Sequence, residues 1–147
     1  MNVDITVERV ETLSLPLVNR FYKQCRYSAK AGRGEVVYVA KADGNIVAAV
    51  RLTPKQEGYH FLRSMCVDPE MRGQGIGRQL LLGIQSFLDS TACYCYPFSH
   101  LLDFYAAAGF YQIDDDKAEH WMREPFLRYC RQGRDIKIMV RELNKDT

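Results

Sequence analysis

Three glycines alternate with other residues in the segment EMRGQGIGRQ, which spans residues 70–79. Glycine loses the most backbone freedom on folding, so such a run indicates that backbone amides, rather than side chains, must approach something. The segment lies between an apolar run and a predicted amphipathic helix. Amides at a helix N-terminus have no partner within the helix and carry partial positive charge, which favours anions. Arg72 and Arg78 flank the glycines and can add charged hydrogen bonds. The segment therefore predicts a phosphate site.

Two common phosphate-binding loops do not match this segment. The P-loop requires Lys and then Ser or Thr after its last glycine, whereas Gly77 is followed by Arg78 and Gln79. The dinucleotide-binding fingerprint G-x-G-x-x-G would place its third glycine at Arg78 or Leu80. The pattern therefore indicates a strand–turn–helix anion site of another kind.

The surrounding sequence must supply the elements that position this loop. Period-two alternation and apolar runs predict strands over 4–10, in two runs within 35–54, and over 60–69, 92–98 and 135–143. Helical spacing predicts helices over 14–27, 78–90, 99–110 and 118–132. Asp43-Gly44-Asn45 is typical of a hairpin turn, and Pro125 indicates a break or restart in the last helix. This order predicts an α/β fold with a mixed sheet.

The composition is that of an ordinary globular protein. The chain has 147 residues, of which 47% are hydrophobic and 26% charged, and we expect a single domain over residues 1–147. The net charge of +2 is too small to predict a nucleic-acid-binding surface, and the apolar runs are too short for a membrane span. Five cysteines without a signal-peptide pattern predict a reducing, cytoplasmic location.

Cys93, Cys95 and His100 are close enough in sequence to raise the question of a metal site. Tetrahedral zinc sites usually combine two C-x₂₋₄-C or His pairs, and this spacing is absent here. Alternate residues of a strand share one face, so both cysteines are expected to be small core residues. The sequence therefore predicts no metal.

The glycine segment resembles the acyl-CoA loop of the GNAT superfamily of N-acyltransferases. Arg72-Gly73-Gln74-Gly75-Ile76-Gly77 matches the family signature R/Q-x-x-G-x-G/A. MCVDPE (65–70) is similar to the end of the family's fourth strand. DFYAAAGF (103–110) is similar to its F-Y-x-x-x-G-F segment on the helix after the fifth strand. The two motifs stand in register, and the likeness extends over residues 35–111.

This resemblance implies the GNAT fold, a mixed but mostly antiparallel sheet of about six to seven strands, flanked by helices and splayed at strands four and five. It implies acetyl-CoA as co-substrate and no metal. The loop would wrap the CoA pyrophosphate, and the backbone near Cys66 or Val67 would stabilise an oxyanion. The residues implied in cofactor binding are Met65, Cys66, Val67, Arg72, Gly73, Gln74, Gly75, Ile76, Gly77 and Arg78.

The resemblance also implies direct transfer of an acetyl or other acyl group to a primary amine, through a tetrahedral intermediate. Tyr105 stands where the family keeps a tyrosine general acid, which can hydrogen-bond the departing thiolate and pass it a proton. The acceptor would be the amine of a small molecule or peptide, and no motif selects among them. Nucleic acid and membranes are not expected partners, whereas the apolar first helix and exposed strand edges permit a homodimer.

The chain departs from the family pattern in three places. Phe98 stands where many members carry Asn. The fourth strand, HFLRSMCV, has no carboxylate to relay a proton from the amine, which leaves His60 or bulk water as the base. A long segment with Trp121 and a predicted helix precedes the last strand. The missing carboxylate keeps a second hypothesis open, a non-catalytic acyl-CoA-binding or protein-interaction module of the same fold.

Overall fold

The computed structural model describes residues 4–143. The strands in this range are β1 (Ile5–Arg9), β2 (Val36–Ala42), β3 (Asn45–Pro54), β4 (His60–Val67), β5 (Cys93–Cys95), β6 (Tyr111–Ile113) and β7 (Ile138–Arg141). The α-helices are α1 (Leu15–Gln24), α2 (Ile76–Gly83), α3 (Gln85–Ser90), α4 (Leu102–Ala106) and α5 (His120–Arg131). None of the helices among these residues is both long and apolar enough to span a bilayer.

The strands form an open sheet in the order β1-β2-β3-β4-β5-β7-β6. The β1–β2, β2–β3, β5–β7 and β6–β7 pairs are antiparallel. The β4–β5 pair is parallel, and its register joins only His60 to Cys93 and Phe61 to Tyr94. This parallel ladder ends after Phe61, although β4 itself continues to Val67. The mixed, mostly antiparallel sheet predicted from the sequence is therefore confirmed.

The chain divides into two compact units, and the first comprises the residues up to Pro54 together with Leu62–Ser86. Its core forms because α1 places apolar residues at helical spacing against the apolar faces of the strands. The buried members are Val18, Phe21 and Tyr22 of α1, Ala31 of the loop that follows it, Val37 and Val39 of β2, Ala49 of β3 and Cys66 of β4. The predicted β2–β3 hairpin is confirmed, with positive φ at Asp43 and Gly44 as a tight turn requires.

The second unit comprises Lys55–Phe61 and the residues from Phe87 onward. Its core joins α5 to β5 and β7, and its buried members are Tyr94, Met122, Phe126, Ile136, Ile138 and Val140. Aromatic rings make up much of this core: Tyr94 stacks on Phe61 with centroids 4.9 Å apart and meets Trp121 edge-on at 5.5 Å. The segment around Trp121 is thus packed against the sheet. The expectation of one domain over the whole chain stays a prediction.

Two helix predictions need correction. The helix expected over 78–90 begins earlier, at Ile76. It is interrupted at Ile84, which separates α2 from α3, and Gly83 at the end of α2 is a residue of low helix propensity. The helix expected to break at Pro125 instead runs without interruption from His120 to Arg131. A proline removes one backbone donor, and burial of Met122 and Phe126 on either side of it offsets that cost.

The sequence also missed a strand. Tyr111–Ile113 forms β6, which pairs with β7 in the register Tyr111–Val140 to Ile113–Ile138. Three residues are too few to show a period-two pattern, so only the tertiary pairing defines this strand. The last strand is shorter than predicted and begins at Ile138, although Ile136 makes an isolated bridge with Phe98.

Gly83 allows α2 to approach β1 closely. A Cβ atom built on Gly83 would lie 2.6 Å from the Cβ of Val7. Helix propensity favours alanine over glycine by about 1 kcal/mol, yet we expect Gly83→Ala to lower the free energy of unfolding by roughly 1–3 kcal/mol because of this overlap. Urea denaturation measures the effect.

The double variant Val7→Ala/Gly83→Ala removes the two γ-methyl groups of Val7, each 2.7 Å from the added Cβ, and should recover part of the loss, whereas the contact with the Cβ of Val7 remains. Gly32→Ala is a matched control, since the nearest atom to its added Cβ is 3.9 Å away. Equal stability of Gly83→Ala and the wild type would show that α2 can shift away from β1.

Candidate functional site

The glycine segment forms a tight turn that ends in the first turn of α2. Gly73 and Gly75 have φ values of +83° and +76°, a left-handed conformation that favours glycine. No atom lies within 4 Å of a Cβ built at either position, so the space beside the loop is open. The glycines are therefore required by the backbone conformation and leave room for a ligand.

The start of α2 presents free backbone donors. Gly75 is the N-cap, and its carbonyl accepts the first helical hydrogen bond from the amide of Gln79 at 3.0 Å. The amides of Ile76, Gly77 and Arg78 consequently have no carbonyl partner within the helix. Arg78 is exposed, and Ile76 is buried and anchors the turn to the core. This end of α2 has the donors and the positive partial charge of an anion site.

The predicted β4 residues lie in the same unit as this loop. Met65, Cys66 and Val67 are the last three residues of β4, and Asp68 continues the chain with its amide bonded to the carbonyl of Val47 at 2.8 Å. The thiol of Cys66 is buried, which raises its pKa to about 12. A thiol that stays protonated is a poor nucleophile, so Cys66 is suited to packing rather than to forming an acyl-cysteine.

A buried ion pair that the motifs did not reveal joins β3 to the loop before β2. The guanidinium of Arg51 donates from Nε and Nη2 to the two carboxylate oxygens of Glu35, at 3.2 and 2.9 Å. Both side chains are about nine-tenths buried. The hydroxyl of Thr53 and the amide of Gly32 also donate to Glu35. One signal was available in the sequence: Arg51 interrupts the otherwise apolar run IVAAVRL, which indicates a buried partner.

The same guanidinium reaches the middle of β4. Its Nη1 donates to the hydroxyl oxygen of Ser64 at 3.1 Å, and the hydroxyl of Tyr22 donates to the carbonyl oxygen of Ser64 at 2.8 Å. Ser64 has a φ of +58°, which is unusual for a residue other than glycine within a strand. Strand β4 is thus locally distorted at Ser64, and hydrogen bonds from Tyr22 and Arg51 hold the distorted residue.

Tyr105 belongs to the second unit, on α4. Its side chain is 7% exposed, and its ring meets those of Phe104 and Phe110 edge-on. Gly109 ends this helical segment with a φ of +96°, as its sequence position predicted. The structure does not test the acid role of Tyr105, which stays a prediction.

The other singled-out residues of the second unit separate into core and surface. Cys93 and Cys95 are buried in β5, whereas His100 is exposed and stacks on Phe98. Within residues 4–143 no group of three potential metal ligands is formed. His60 lies at the start of β4, with its ring edge-on to Phe87. The two cysteines are therefore core residues, as expected.

Comparison with known proteins identifies the family. The model of the acetyltransferase (GNAT) domain matches residues 33–112. A search of curated proteins found no significant match. The chain belongs to the GNAT family, and the prediction of an acyl-CoA-dependent acetyltransferase is confirmed at that level.

Solved structures share the fold. The ribosomal-protein-S18-alanine N-acetyltransferase of Escherichia coli is 16% identical, with a TM-score of 0.66 over 98% of this chain and 99% of that one. Arabidopsis thaliana Naa50, in complex with the bisubstrate analogue CoA-Ac-MVNAL, is 17% identical, with a TM-score of 0.64 over 96% of this chain and all of that one. The N-acetylglutamate synthase of Neisseria gonorrhoeae, complexed with coenzyme A and N-acetyl-glutamate, is 17% identical, with a TM-score of 0.66. The match covers 99% of this chain and 36% of the synthase.

The Glu35–Arg51 pair predicts a specific acid sensitivity. Burial by itself would raise the pKa of the Glu35 carboxyl, but hydrogen bonds from Thr53, Gly32 and Arg51 outweigh it, and the pKa lies below the usual 4.5. The unfolded state then binds the proton more readily, so this contribution to stability is complete above about pH 5 and is lost as the pH falls through the lowered folded-state pKa.

We therefore expect Glu35→Gln to lower the free energy of unfolding at pH 7 by about 3–5 kcal/mol, because it leaves the Arg51 charge buried and unpaired. The variant should also lose less stability than the wild type between pH 5 and pH 3. Denaturant titrations at several pH values measure both effects. Glu8→Gln is the control, since Glu8 pairs with Lys41 at the surface and its loss should cost under about 1 kcal/mol. Parallel pH profiles for Glu35→Gln and the wild type would contradict the assignment.

Proposed function

We propose that this protein transfers an acetyl group from acetyl-CoA to a primary amine. The observation that carries the proposal is the N-terminus of α2, where left-handed glycines precede three amides that have no carbonyl partner within the helix, inside a GNAT domain. In this proposal the CoA pyrophosphate binds the amides of Ile76, Gly77 and Arg78. Gly73, Gln74 and Gly75 wrap it, and the guanidinium groups of Arg72 and Arg78 add charge.

The last residues of β4 would hold the remainder of the cofactor. The ladder between β4 and β5 ends after Phe61, so the strand continues beyond its parallel pairing. We infer that the backbone of Met65, Cys66 and Val67 pairs with the amide-bearing pantetheine arm, as an added strand pairs with a sheet edge. A backbone amide in this stretch would then stabilise the oxyanion of the tetrahedral intermediate.

The reaction would be a direct attack of the amine nitrogen on the thioester carbonyl carbon. The C–N bond forms, the C–S bond breaks, and the sulfur leaves as the CoA thiolate while the amine loses a proton to solvent. Tyr105 is proposed to hydrogen-bond this thiolate. A phenol is the weaker acid by about 1.5 pKa units, so the hydrogen bond contributes at least as much as complete proton transfer. The buried, protonated thiol of Cys66 favours this direct route over a covalent acyl-enzyme.

An amine acceptor is supported by the structural neighbours. Their names specify an alanine of a ribosomal protein, a bisubstrate analogue that joins CoA to MVNAL, and N-acetyl-glutamate. This range covers amino acids, peptides and proteins, and we propose an acceptor with a free amine from among these classes.

One observation favours a second candidate function. β4 carries no carboxylate between His60 and Val67 to accept the proton of the amine. A non-catalytic module that binds acyl-CoA would not require such a base. Release of free CoA from acetyl-CoA in the presence of a broad panel of amines distinguishes the two functions, because a binding module gives none.

The anion site predicts selective stabilisation by CoA compounds. At about 100 times its dissociation constant a ligand adds roughly 2.7 kcal/mol of stability, which raises the melting temperature of a domain of this size by several degrees. We expect this shift with acetyl-CoA and CoA but not with ATP or NAD at equal concentration. No shift with any of the four would reject the proposed function.

Substitution in the loop tests where the cofactor binds. Gly75→Ala should weaken acetyl-CoA binding about tenfold or more, because it disturbs the turn that presents the amides to the charged phosphates. Gly133→Ala is the matched control, since Gly133 also has a left-handed φ of +91° and open space around its Cβ position. Both variants should lose similar stability, and only Gly75→Ala should lose affinity in calorimetric titrations. Equal affinities would place the cofactor elsewhere.

The acid role of Tyr105 makes a kinetic prediction. Tyr105→Phe should lower kcat about 100-fold, because the thiolate loses its hydrogen-bond donor, while the dissociation constant for CoA changes by less than about twofold. Steady-state kinetics with an amine that the wild type accepts measure the first quantity, and calorimetry the second. Tyr111→Phe, on the half-exposed edge of β6, should leave kcat unchanged. A kcat for Tyr105→Phe equal to that of the wild type would reject this role.

A further inference from the structure

Ser64 interrupts the regular backbone of β4 one residue before the proposed cofactor contacts. Its φ of +58° lies in the left-handed region, which is unfavourable for a residue with a side chain. A strand keeps such a residue only where its surroundings hold it in place, and such distortions concentrate at functional sites. The contacts that hold Ser64 therefore set the backbone orientation at the start of Met65–Val67.

Tyr22 fixes the direction of the peptide group that follows Ser64. The Tyr22 hydroxyl donates to the Ser64 carbonyl oxygen at 2.8 Å. In a planar trans peptide the C=O and N–H bonds point in opposite directions. The hydrogen bond from Tyr22 thus turns the Met65 N–H away from α1, and rotation of this peptide would have to break it.

The Tyr22 donor is itself rigidly placed. Its side chain is fully buried in the first core, and its ring packs against Phe21 and Tyr27 with centroids 6.0 and 5.6 Å away. Burial raises the pKa of its hydroxyl, so the group stays protonated and remains a donor. The Tyr22 hydroxyl is therefore inaccessible to solvent and serves to hold the Ser64 carbonyl.

A second contact holds the Ser64 side chain. Nη1 of Arg51 donates to the Ser64 hydroxyl oxygen, while Nε and Nη2 are occupied by Glu35. Because Glu35 also accepts hydrogen bonds from Thr53 and Gly32, rotation of the guanidinium would leave several buried polar groups without hydrogen-bond partners. Tyr22 and Arg51 together hold Ser64 in place, through hydrogen bonds to its carbonyl oxygen and its hydroxyl oxygen.

We propose that Tyr22 is a positioning residue for acyl transfer: it sets the orientation of the Ser64–Met65 peptide, so that the amides after Ser64 are aimed at the acetyl carbonyl of the bound cofactor. Arg51, held by Glu35, supports the same orientation through the Ser64 hydroxyl. This inference rests on the proposed function and adds to it the residues, distant from the glycine loop in sequence, that shape the acyl end of the site.

The variant Tyr22→Phe removes one hydroxyl and keeps the ring. The acetyl carbonyl is present in acetyl-CoA and absent from CoA, so the two ligands separate the acyl end from the rest of the site. We expect affinity for acetyl-CoA to fall about three- to tenfold, as for one lost hydrogen bond, while affinity for CoA changes by less than about twofold. Calorimetric titration of both ligands gives this ratio.

Ser64→Gly supplies a rescue. Glycine adopts the left-handed conformation without strain but lacks the hydroxyl that Arg51 contacts, so the double variant Tyr22→Phe/Ser64→Gly should recover part of the lost discrimination between acetyl-CoA and CoA. Val37→Ala, in the same core, is the control for a general loss of stability and should leave the ratio of affinities unchanged. If Tyr22→Phe weakens both ligands equally, or neither, the proposal is wrong.

A ligand-free measurement separates this inference from the proposed function. In ¹⁵N spectra the Met65 amide resonance should move in Tyr22→Phe and stay near its wild-type position in Val37→Ala. An unmoved resonance would overturn the positioning role even in an active enzyme. Failure of the wild-type protein to bind acetyl-CoA would instead reject the proposed function, and with it a role of Tyr22 in acyl transfer, although the shifted resonance would still show that Tyr22 orients this peptide.

Discussion

The buried charge of Arg51 is the constraint on which the first unit depends. A guanidinium removed from water must be paired and hydrogen-bonded where it lies, and leaving it unpaired is strongly destabilising. Glu35 supplies the counter-charge in a two-point contact, and this requirement fixes the chain between Gly32 and the start of β2. The remaining donor, Nη1, is then directed at Ser64 in β4. One ion pair thus links the loop before β2 and strand β3 to β4, the distorted strand of the proposed site.

The two halves of the proposed cofactor site depend on different kinds of interaction. The phosphate end uses backbone amides, and it needs glycine conformations at Gly73 and Gly75 and a helix that starts at the correct place. Close approach of α2 to β1 at Gly83 contributes to that placement. The acyl end uses a strand whose distortion is held by side chains from α1 and β3. In the proposed site backbone amides serve both ends, which would explain why so few side chains in the motifs carry recognisable chemistry.

Aromatic packing has the corresponding structural role in the second unit. Seven rings, from Tyr59 to Tyr129, join the start of β4 and strand β5 to α5. These contacts pack α5, which stays helical through Pro125, against β5, the strand that pairs with β7. The long segment before the last strand, a departure from the family pattern, is therefore a structural layer of this unit.

The sequence alone determined the features that are encoded locally. A glycine run before an apolar stripe defines a turn and a helix start within a few residues, and Asp43-Gly44 defines a hairpin, so the loop, the β2–β3 hairpin and the family were all predictable. Tertiary structure decided what depends on residues distant in the chain. The strand β6 is defined by its pairing with β7. The helix that includes Pro125 is supported by its packing, and the conformation of Ser64 is held by Tyr22 and Arg51. No local pattern records these features, because the partner that stabilises each one lies far away in sequence and is brought near only by the fold.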